Sequence, residues 1–79
     1  MNRSITVSTE YITLGQALKL ADVVQSGGQA KFFIAEHEIL VNGSKETRRG
    51  RKLYPGDHLT IEGLGSFQIR SERDADRRT

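Results

Sequence analysis

The sequence contains no cysteine among its 79 residues, so neither a disulfide bond nor a thiolate metal site can hold the fold. No window approaches the roughly 18 apolar residues of a membrane span. The first ten residues also lack a continuous apolar run of the kind found in secretion signals. These absences predict a cytoplasmic protein without membrane association, stabilised by packing alone.

The chain has little apolar material, with 35% hydrophobic residues. A chain of this length buries only about 60% of its unfolded surface, so the core must be small. We therefore expect one domain, over residues 1–70, and no appended catalytic domain. Residues 71–79 lie in a charged run whose one apolar residue is Ala75, which predicts a disordered tail. We expect the protein to be a monomer.

The net charge of +2 is too small by itself to indicate a nucleic-acid partner, but its distribution is uneven. Five of the twelve Lys and Arg residues lie within residues 45–52, namely Lys45, Arg48, Arg49, Arg51 and Lys52. The same stretch contains one acid, Glu46. Such a density of like charge is tolerated where solvent or a polyanion compensates it. RNA is one such polyanion, and arginine can bind its phosphates through two hydrogen bonds or stack on an unpaired base. The alternative is that this basic segment is only a solvated, charged loop with no ligand.

The first helix is predicted from a capping box, in which Thr13 stands three residues before Gln16. Apolar residues then follow at helical spacing, at Leu14, Ala17, Leu18 and Ala21. This pattern predicts an amphipathic helix that ends near Val24.

A second start signal, Ser26 with Gln29, predicts another short helix that ends near Glu36, with His37 in a positive-φ terminator position. Its apolar stripe consists of Ala30, Phe33 and Ile34. We expect Phe32 as well as Phe33 in the core, and Tyr54 packed under the basic loop. The alternative for Phe32, one position round the helix, is partial exposure, which would let its ring stack on a base.

Short strands and tight turns are predicted on both sides of these helices. Alternation at Ile5 and Val7 indicates an edge strand, and a strand at residues 39–41 leads into Asn42-Gly43, a strong signal for a type I′ hairpin turn. Pro55-Gly56-Asp57 supplies a second turn. Alternating apolar residues on either side of residues 63–66 predict a terminal hairpin, at Leu59, Ile61, Phe67 and Ile69. The layout is that of an α+β domain.

The start of the second helix is a candidate phosphate site. Free amides and partial positive charge gather at a helix start, and Gly27-Gly28 would let a phosphate approach the backbone. Gln29 belongs to the same start, and Lys31 adds a charge one turn further on. An ordinary cap with a flexible entry is the alternative, and the residues by themselves favour it.

Three motifs together resemble a known family. These are Gly27-Gly28-Gln29-Ala30-Lys31, Ile39-x-Val41-Asn42-Gly43, and the run from Glu46-Thr47-Arg48-Arg49-Gly50-Arg51-Lys52 to Pro55-Gly56-Asp57. In this order they resemble the S4 RNA-binding domain, and more narrowly its small free-standing bacterial YaaA-like members. The resemblance covers about two thirds of the chain, from Ile12 to Glu62.

The resemblance implies an S4-like fold, in which two short helices pack on a small, bent, mostly antiparallel sheet and present an RNA-binding surface. It implies ribosomal RNA of the large subunit as the target and a role in ribosome assembly. It also favours phosphate binding at the second helix. The expected RNA contacts are Gly27, Gly28, Gln29, Lys31, Asn42, Lys45, Thr47, Arg48, Arg49, Arg51 and Lys52.

Catalysis is not expected. His37, Asp57 and His58 form no recognisable triad or metal-ligand spacing, and no phosphate-binding P-loop occurs. We therefore predict a protein that is not an enzyme and has no metal, cofactor or small-molecule substrate. An adaptor that binds an acidic protein partner through the same basic loop is the second hypothesis, and DNA binding remains open because phosphate-directed contacts discriminate poorly.

Overall fold

The computed structural model describes residues 2–72. Within this part, strands and helices follow one another in the order β1 (Asn2–Val7), β2 (Ile12–Thr13), α1 (Leu14–Leu20), α2 (Gly27–Glu36), β3 (Ile39–Val41), β4 (Ser44–Lys45), β5 (Lys52–Leu53), β6 (His58–Ile61) and β7 (Gly65–Ser71). The α+β class is confirmed. The predicted tail falls mostly on residues 73–79, which lie outside the described residues, and the boundary at residue 70 stays a prediction.

Five of these strands form one sheet, in the order β1-β7-β6-β3-β4. β1 runs parallel to β7, while the other neighbours are antiparallel, so the predicted edge strand and terminal hairpin are both confirmed. Strand β4, which leads into the basic segment, lies at the opposite edge from β1. A separate two-residue ladder pairs β2 with β5 and holds the end of the basic segment beside the start of α1.

The core lies between the sheet and the two helices. Its largest fully buried side chains come from α1, β3, β5, β6 and β7 and include Leu14, Leu18, Ile39, Leu53, Leu59, Ile61 and Ile69. Each such aliphatic side chain contributes about 1.5–3 kcal/mol relative to an exposed one. α2 contributes less, because only Ala30 and Ile34 of this helix are buried.

Helix α1 starts as predicted but ends earlier. Both hydrogen bonds of the capping box are present, from Gln16 N to Thr13 Oγ1 and from Thr13 N to Gln16 Oε1. The predicted end near Val24 is wrong, because the helix stops at Leu20. Asp22 takes a left-handed φ of 61°, and its amide and that of the next residue bond back to the last turn in a Schellman arrangement. Val24 instead enters the core from the loop.

Helix α2 has the predicted bounds, with Ser26 Oγ accepting from Gln29 N at its start. The positive φ expected at His37 is wrong, because this residue is extended, with φ −127° and ψ 150°. Because this backbone is extended, the chain passes directly from the helix into β3. The His37 ring stacks on the Phe33 ring, with 4.1 Å between the centroids. The expected burial of Phe32 is also wrong, since it is 68% exposed, whereas Phe33 is half-buried.

Both predicted turns are confirmed. Asn42 and Gly43 have φ values of 53° and 85°, as a type I′ hairpin between β3 and β4 requires. Gly56 has a φ of 99°, which glycine adopts without strain. The Asn42 amide joins the two turns, since its Nδ2 donates to Asp57 Oδ1 at 3.1 Å and its Oδ1 accepts from His58 N at 2.9 Å.

Candidate RNA interface

The segment between β4 and β5, residues 46–51 and here called the arginine connection, is fastened to the start of α1. Leu14 N donates to Arg51 O at 2.8 Å, and Gly15 N donates to Arg49 O at 2.9 Å. These are the first two amides of α1, which have no partner within their own helix. The start of α1 therefore fixes the path of the arginine connection and has no amides left there for a ligand.

Arg49 links the arginine connection to the other helix. Its Nη1 donates to the carbonyl oxygen of Gly27 at 3.1 Å, across a sequence separation of 22 residues. The Gly27-Gly28 helix start and the arginine connection consequently lie on the same side of the molecule.

A hollow of about 190 Å³ lies at this junction and is lined by Lys31, Ile34, Thr47 and Arg49; we call it the α2 hollow. The amides of Gly27 and Gly28 belong to the helix start that Arg49 contacts through the Gly27 carbonyl, and they have no hydrogen-bond partner among the described residues. The space beside the Gly27 Cα is open within 4 Å. Gln29 faces its own cap, because its Oε1 accepts from Gln25 N. The two cations of the α2 hollow, Lys31 and Arg49, thus lie close to a helix start with free amides, and both features suit a phosphate group.

The other side of the arginine connection forms a second hollow, of about 640 Å³, lined by Arg48, Gly50, Arg51, Lys52, Tyr54 and Asp57. We call it the Tyr54 hollow. It shares no lining residue with the α2 hollow. The cations of the arginine connection are thus divided, with Arg49 turned toward α2 and Arg48 and Arg51 turned toward Tyr54. Tyr54 is 44% exposed, so the expectation that it packs under the loop is wrong.

Glu46 organises the arginine connection from inside. It is the one buried polar or charged residue in the part of the chain that the structure describes, with 6% of its surface exposed. Its Oε2 accepts from the backbone amides of Thr47 and Arg48 at 3.1 and 3.0 Å, and from Arg48 Nε at 3.0 Å. Its Oε1 accepts from Arg51 Nη1 at 2.8 Å and from Arg48 Nη2 at 3.4 Å.

These contacts change the charge state of the carboxyl group. The side-chain and backbone hydrogen bonds from Arg48 lower the pKa of Glu46 to about 2, despite the opposing effect of burial. The same contact raises the pKa of the Arg48 guanidinium. In the sequence, Glu46 is visible only as one negative charge among five positive ones. Its position as the one acid in that run was the available signal for a role in ordering the arginines.

The remaining predicted contacts lie outside both hollows. Asn42 is exposed, but its amide is bonded to Asp57 and His58. Lys45 is an exposed residue of the edge strand β4 and lines neither hollow. A hollow of about 760 Å³, larger than the two above, lies between the end of β1 and α1, and Lys19 is the one cation among its described lining residues. The positive charge is therefore concentrated away from this larger hollow.

A membrane-spanning helix and a cluster of metal-binding side chains are both absent from residues 2–72. No helix within residues 2–72 has the length and apolar character needed to cross a membrane. In the same part of the chain, no three His, Asp or Glu side chains come together in a way that could hold a metal ion.

Comparison with known proteins agrees with the motifs. The family model described as "S4 domain" matches residues 5–70. The chain is 64% identical over 69 residues to the "probable ribosome maturation protein RlbA" of Bacillus subtilis, covering 87% of this chain and 97% of the relative. It is 38% identical over 53 residues to the "putative RNA-binding protein YbcJ" of Escherichia coli, covering 67% of this chain and 76% of that protein. The chain belongs to the S4 domain family.

Proposed function

We propose that this protein is a non-catalytic RNA-binding protein that acts in ribosome maturation. It recognises structured RNA, with ribosomal RNA of the large subunit as the favoured target, and works as a monomer in the cytoplasm. The B. subtilis relative supports the biological role, because its name describes ribosome maturation and the match covers nearly all of its length. The E. coli relative, whose name describes RNA binding, supports the kind of ligand.

The bond from Arg49 to the Gly27 carbonyl is the observation on which the proposal depends. It brings a basic segment and an open helix start, 22 residues apart in sequence, to one face. We expect a phosphate in the α2 hollow to contact the ammonium group of Lys31 and the free donors of Arg49, while the positive end of α2 at Gly27 and Gly28 attracts it further. The bond to Gly27 already holds Arg49 in place, so this side chain loses little conformational freedom when an anion binds.

The proposed RNA contacts fall into two groups. The first group would bind the RNA backbone and consists of Lys31, Thr47 and Arg49, which line the α2 hollow, with Gly27, Gly28 and Gln29 at the helix start next to them. The second group, at the Tyr54 hollow, is Arg48, Arg51 and Lys52. Contacts from Asn42 and Lys45 stay predictions, because these residues belong neither to a hollow nor to the start of α2. Most of the groups are phosphate-directed, so shape and backbone are read more than base identity.

Salt-dependent binding tests the surface. The wild-type protein and the Lys31→Gln/Arg49→Gln variant are titrated against one RNA hairpin over a series of salt concentrations. If about four to six phosphates are contacted, log K should fall with log salt with a slope near −3 to −4, by the coefficient of about −0.7 per phosphate for single strands. We expect the double variant to lose affinity and to have a slope shallower by about one to two.

Arg3→Gln is the matched control, because Arg3 belongs to β1, at the far edge of the sheet from β4, and its loss changes charge at a distance from the arginine connection. It should leave the slope unchanged. If Arg3→Gln and the single variant Arg49→Gln lost RNA affinity equally, only the net charge of the protein would matter for binding. That result would contradict a defined binding surface.

Crosslinking in cells, followed by sequencing of the attached RNA, tests the target. Enrichment of large-subunit ribosomal RNA supports the ribosomal role, whereas enrichment of other RNA classes contradicts it. Ribonuclease treatment of the purified protein distinguishes the adaptor hypothesis. Co-purified material that absorbs at 260 nm and is removed by ribonuclease supports RNA binding, while association that resists the nuclease supports an acidic protein partner.

A further inference from the structure

Tyr54 presents an aromatic ring in the middle of the basic surface. It is 44% exposed and lines the Tyr54 hollow together with three cations, Arg48, Arg51 and Lys52. The volume of about 640 Å³ lies within the range of about 300–1,000 Å³ that is usual for small-ligand sites. An exposed aromatic ring beside cations is the combination that holds single-stranded nucleic acid, because the ring stacks on a base while the cations bind its phosphate.

The Tyr54 ring is held in place before any ligand arrives. Its residue begins the Pro55-Gly56 turn, which the bond from Asp57 N to Tyr54 O closes at 2.9 Å. Tyr54 N donates in turn to Asp57 Oδ2 at 2.8 Å. The Tyr11 ring supports the Tyr54 side chain, with 5.6 Å between the two ring centroids. Lys52 Nζ lies over the Tyr11 ring, 4.9 Å from its centroid. A stacking platform fixed in this way loses little freedom on binding.

The charges around the ring favour a nucleotide over a bare phosphate. Ion pairs with Glu46 neutralise part of the positive charge of Arg48 and Arg51. Asp57 adds a carboxylate to the wall of the hollow. A phosphate is therefore repelled from the Asp57 side and attracted to the exposed side of Arg48 and to Lys52. The Asp57 carboxylate can in turn accept from N–H groups on a base edge.

We propose that the Tyr54 hollow binds an unpaired nucleobase of RNA, stacked on Tyr54, with its phosphate toward Arg48 and Lys52. The inference rests on the proposed function and defines its ligand more closely. The lining residues of the α2 hollow include no aromatic residue, so we expect this hollow to bind the RNA phosphate backbone whatever the base sequence. The Tyr54 hollow adds a preference for RNA in which one nucleotide is extruded, as in a bulge or loop.

Three RNA hairpins of equal stem sequence test this preference: one fully paired, one with a single bulged nucleotide, and one whose bulged position is abasic. The abasic hairpin retains the extra phosphate but lacks the base. We expect the wild-type protein to bind the bulged hairpin most tightly. Tyr54→Leu keeps apolar bulk but removes the stacking face, and should weaken binding of the bulged hairpin by between about fivefold and a hundredfold. Tyr54→Phe should retain the preference.

The other two hairpins are the internal control for folding. Tyr54→Leu should bind the paired and abasic hairpins within about twofold of wild type, because phosphate contacts remain. Equal weakening on all three hairpins would assign Tyr54 a purely structural role and overturn the inference. Equal wild-type affinity for bulged and abasic hairpins would overturn it as well, while leaving the proposed RNA binding intact. Failure of every hairpin to bind would instead contradict the proposed function.

A fluorescent variant gives an independent measurement. The chain has no tryptophan, so Tyr54→Trp introduces a single reporter at the ring position. Stacking of a base on this indole should quench its emission with the bulged hairpin and leave it nearly unchanged with the abasic one. Unchanged emission with the bulged hairpin at saturation would contradict stacking. Quenching by an acidic peptide but by none of the hairpins would assign the hollow to a protein ligand and also overturn the inference.

Discussion

The guanidinium of Arg51 donates to the buried carboxylate of Glu46 across 2.8 Å, which ties the end of the arginine connection back to its beginning. With the bonds from Arg48, this pair turns a run of mutually repelling cations into an ordered loop. An acid within the proposed RNA-binding surface has two opposing effects: its charge repels phosphate, whereas its bonds order the arginines.

Glu46→Gln tests which of these two effects is larger. The substitution removes one negative charge from the basic surface, so charge alone predicts tighter RNA binding. It also weakens the bonds that orient Arg48 and Arg51, so loss of preorganisation predicts weaker binding. We expect affinity for an RNA hairpin to fall by about threefold to thirtyfold, measured by titration at constant salt.

Glu36→Gln is the control with the same change in charge, because Glu36 is exposed at the end of α2. It should leave affinity unchanged or slightly raised. A rise in affinity for both variants would mean that Glu46 acts only as a charge.

The lowered pKa of Glu46 predicts a stability change in acid. The folded-state pKa of about 2 lies below the usual value of 4.5, so the ionised carboxyl stabilises the fold above pH 4.5. That contribution is lost as pH falls from 4.5 toward 2. Because both arginine partners reach solvent, we expect a loss on the order of 1–2 kcal/mol in the free energy of unfolding.

Urea unfolding at a series of pH values measures this loss. Glu46→Gln has no carboxyl at this position, so its free energy of unfolding should fall less steeply over the same interval. Parallel pH profiles for the two proteins would show that other groups cause the acid sensitivity.

The arginines should differ in their effect on stability. Arg51→Ala removes the closer of the two donors to Glu46 Oε1 and leaves a buried carboxylate with fewer donors, which should cost about 1–2 kcal/mol. For a domain of this size that cost lowers the melting temperature by about 4–15 °C. Arg49→Ala removes an exposed side chain and should change stability by no more than about 0.5 kcal/mol. Thermal melts of the two variants, compared directly, test this difference.

Asn42 should contribute to stability through the two turns it joins. Asn42→Ala removes the bonds to Asp57 and His58, and it also places alanine at a left-handed φ of 53°. Together these effects should cost about 2–3 kcal/mol in the free energy of unfolding, measured in urea. Asn42→Gly loses the same bonds without the strained φ, so it should be about 1 kcal/mol more stable than the alanine variant.

Phe32 and Phe33 are neighbours with different environments, and their alanine variants should differ accordingly. Phe33 packs against the core and stacks on His37 at 4.1 Å, so Phe33→Ala should cost about 2 kcal/mol, less than the roughly 3–5 kcal/mol of a fully buried phenylalanine. Phe32 is 68% exposed, and Phe32→Ala should stay within about 0.5 kcal/mol of wild type. Similar losses in both variants would contradict the burial of α2 described above.

The sequence by itself determined the local elements. The N-terminal caps of both helices, the Asn42-Gly43 turn, the Pro55-Gly56 turn and the terminal hairpin all depend on interactions within a few residues, and all were predicted correctly. The α+β class followed from their order. The early end of α1 was missed because Asp22 is a rare terminator, whose left-handed φ is stabilised by backbone bonds that periodicity does not reveal.

Only the tertiary structure decided how the candidate site is arranged. The first amides of α1 bind the carbonyls of Arg49 and Arg51, and this contact between distant segments fixes the backbone of the arginine connection. That path turns Glu46 inward, Arg49 toward Gly27, and Tyr54 outward. The sequence shows that five cations lie close together in the chain, but the path of the segment that carries them depends on bonds to α1 and α2, more than 20 residues away.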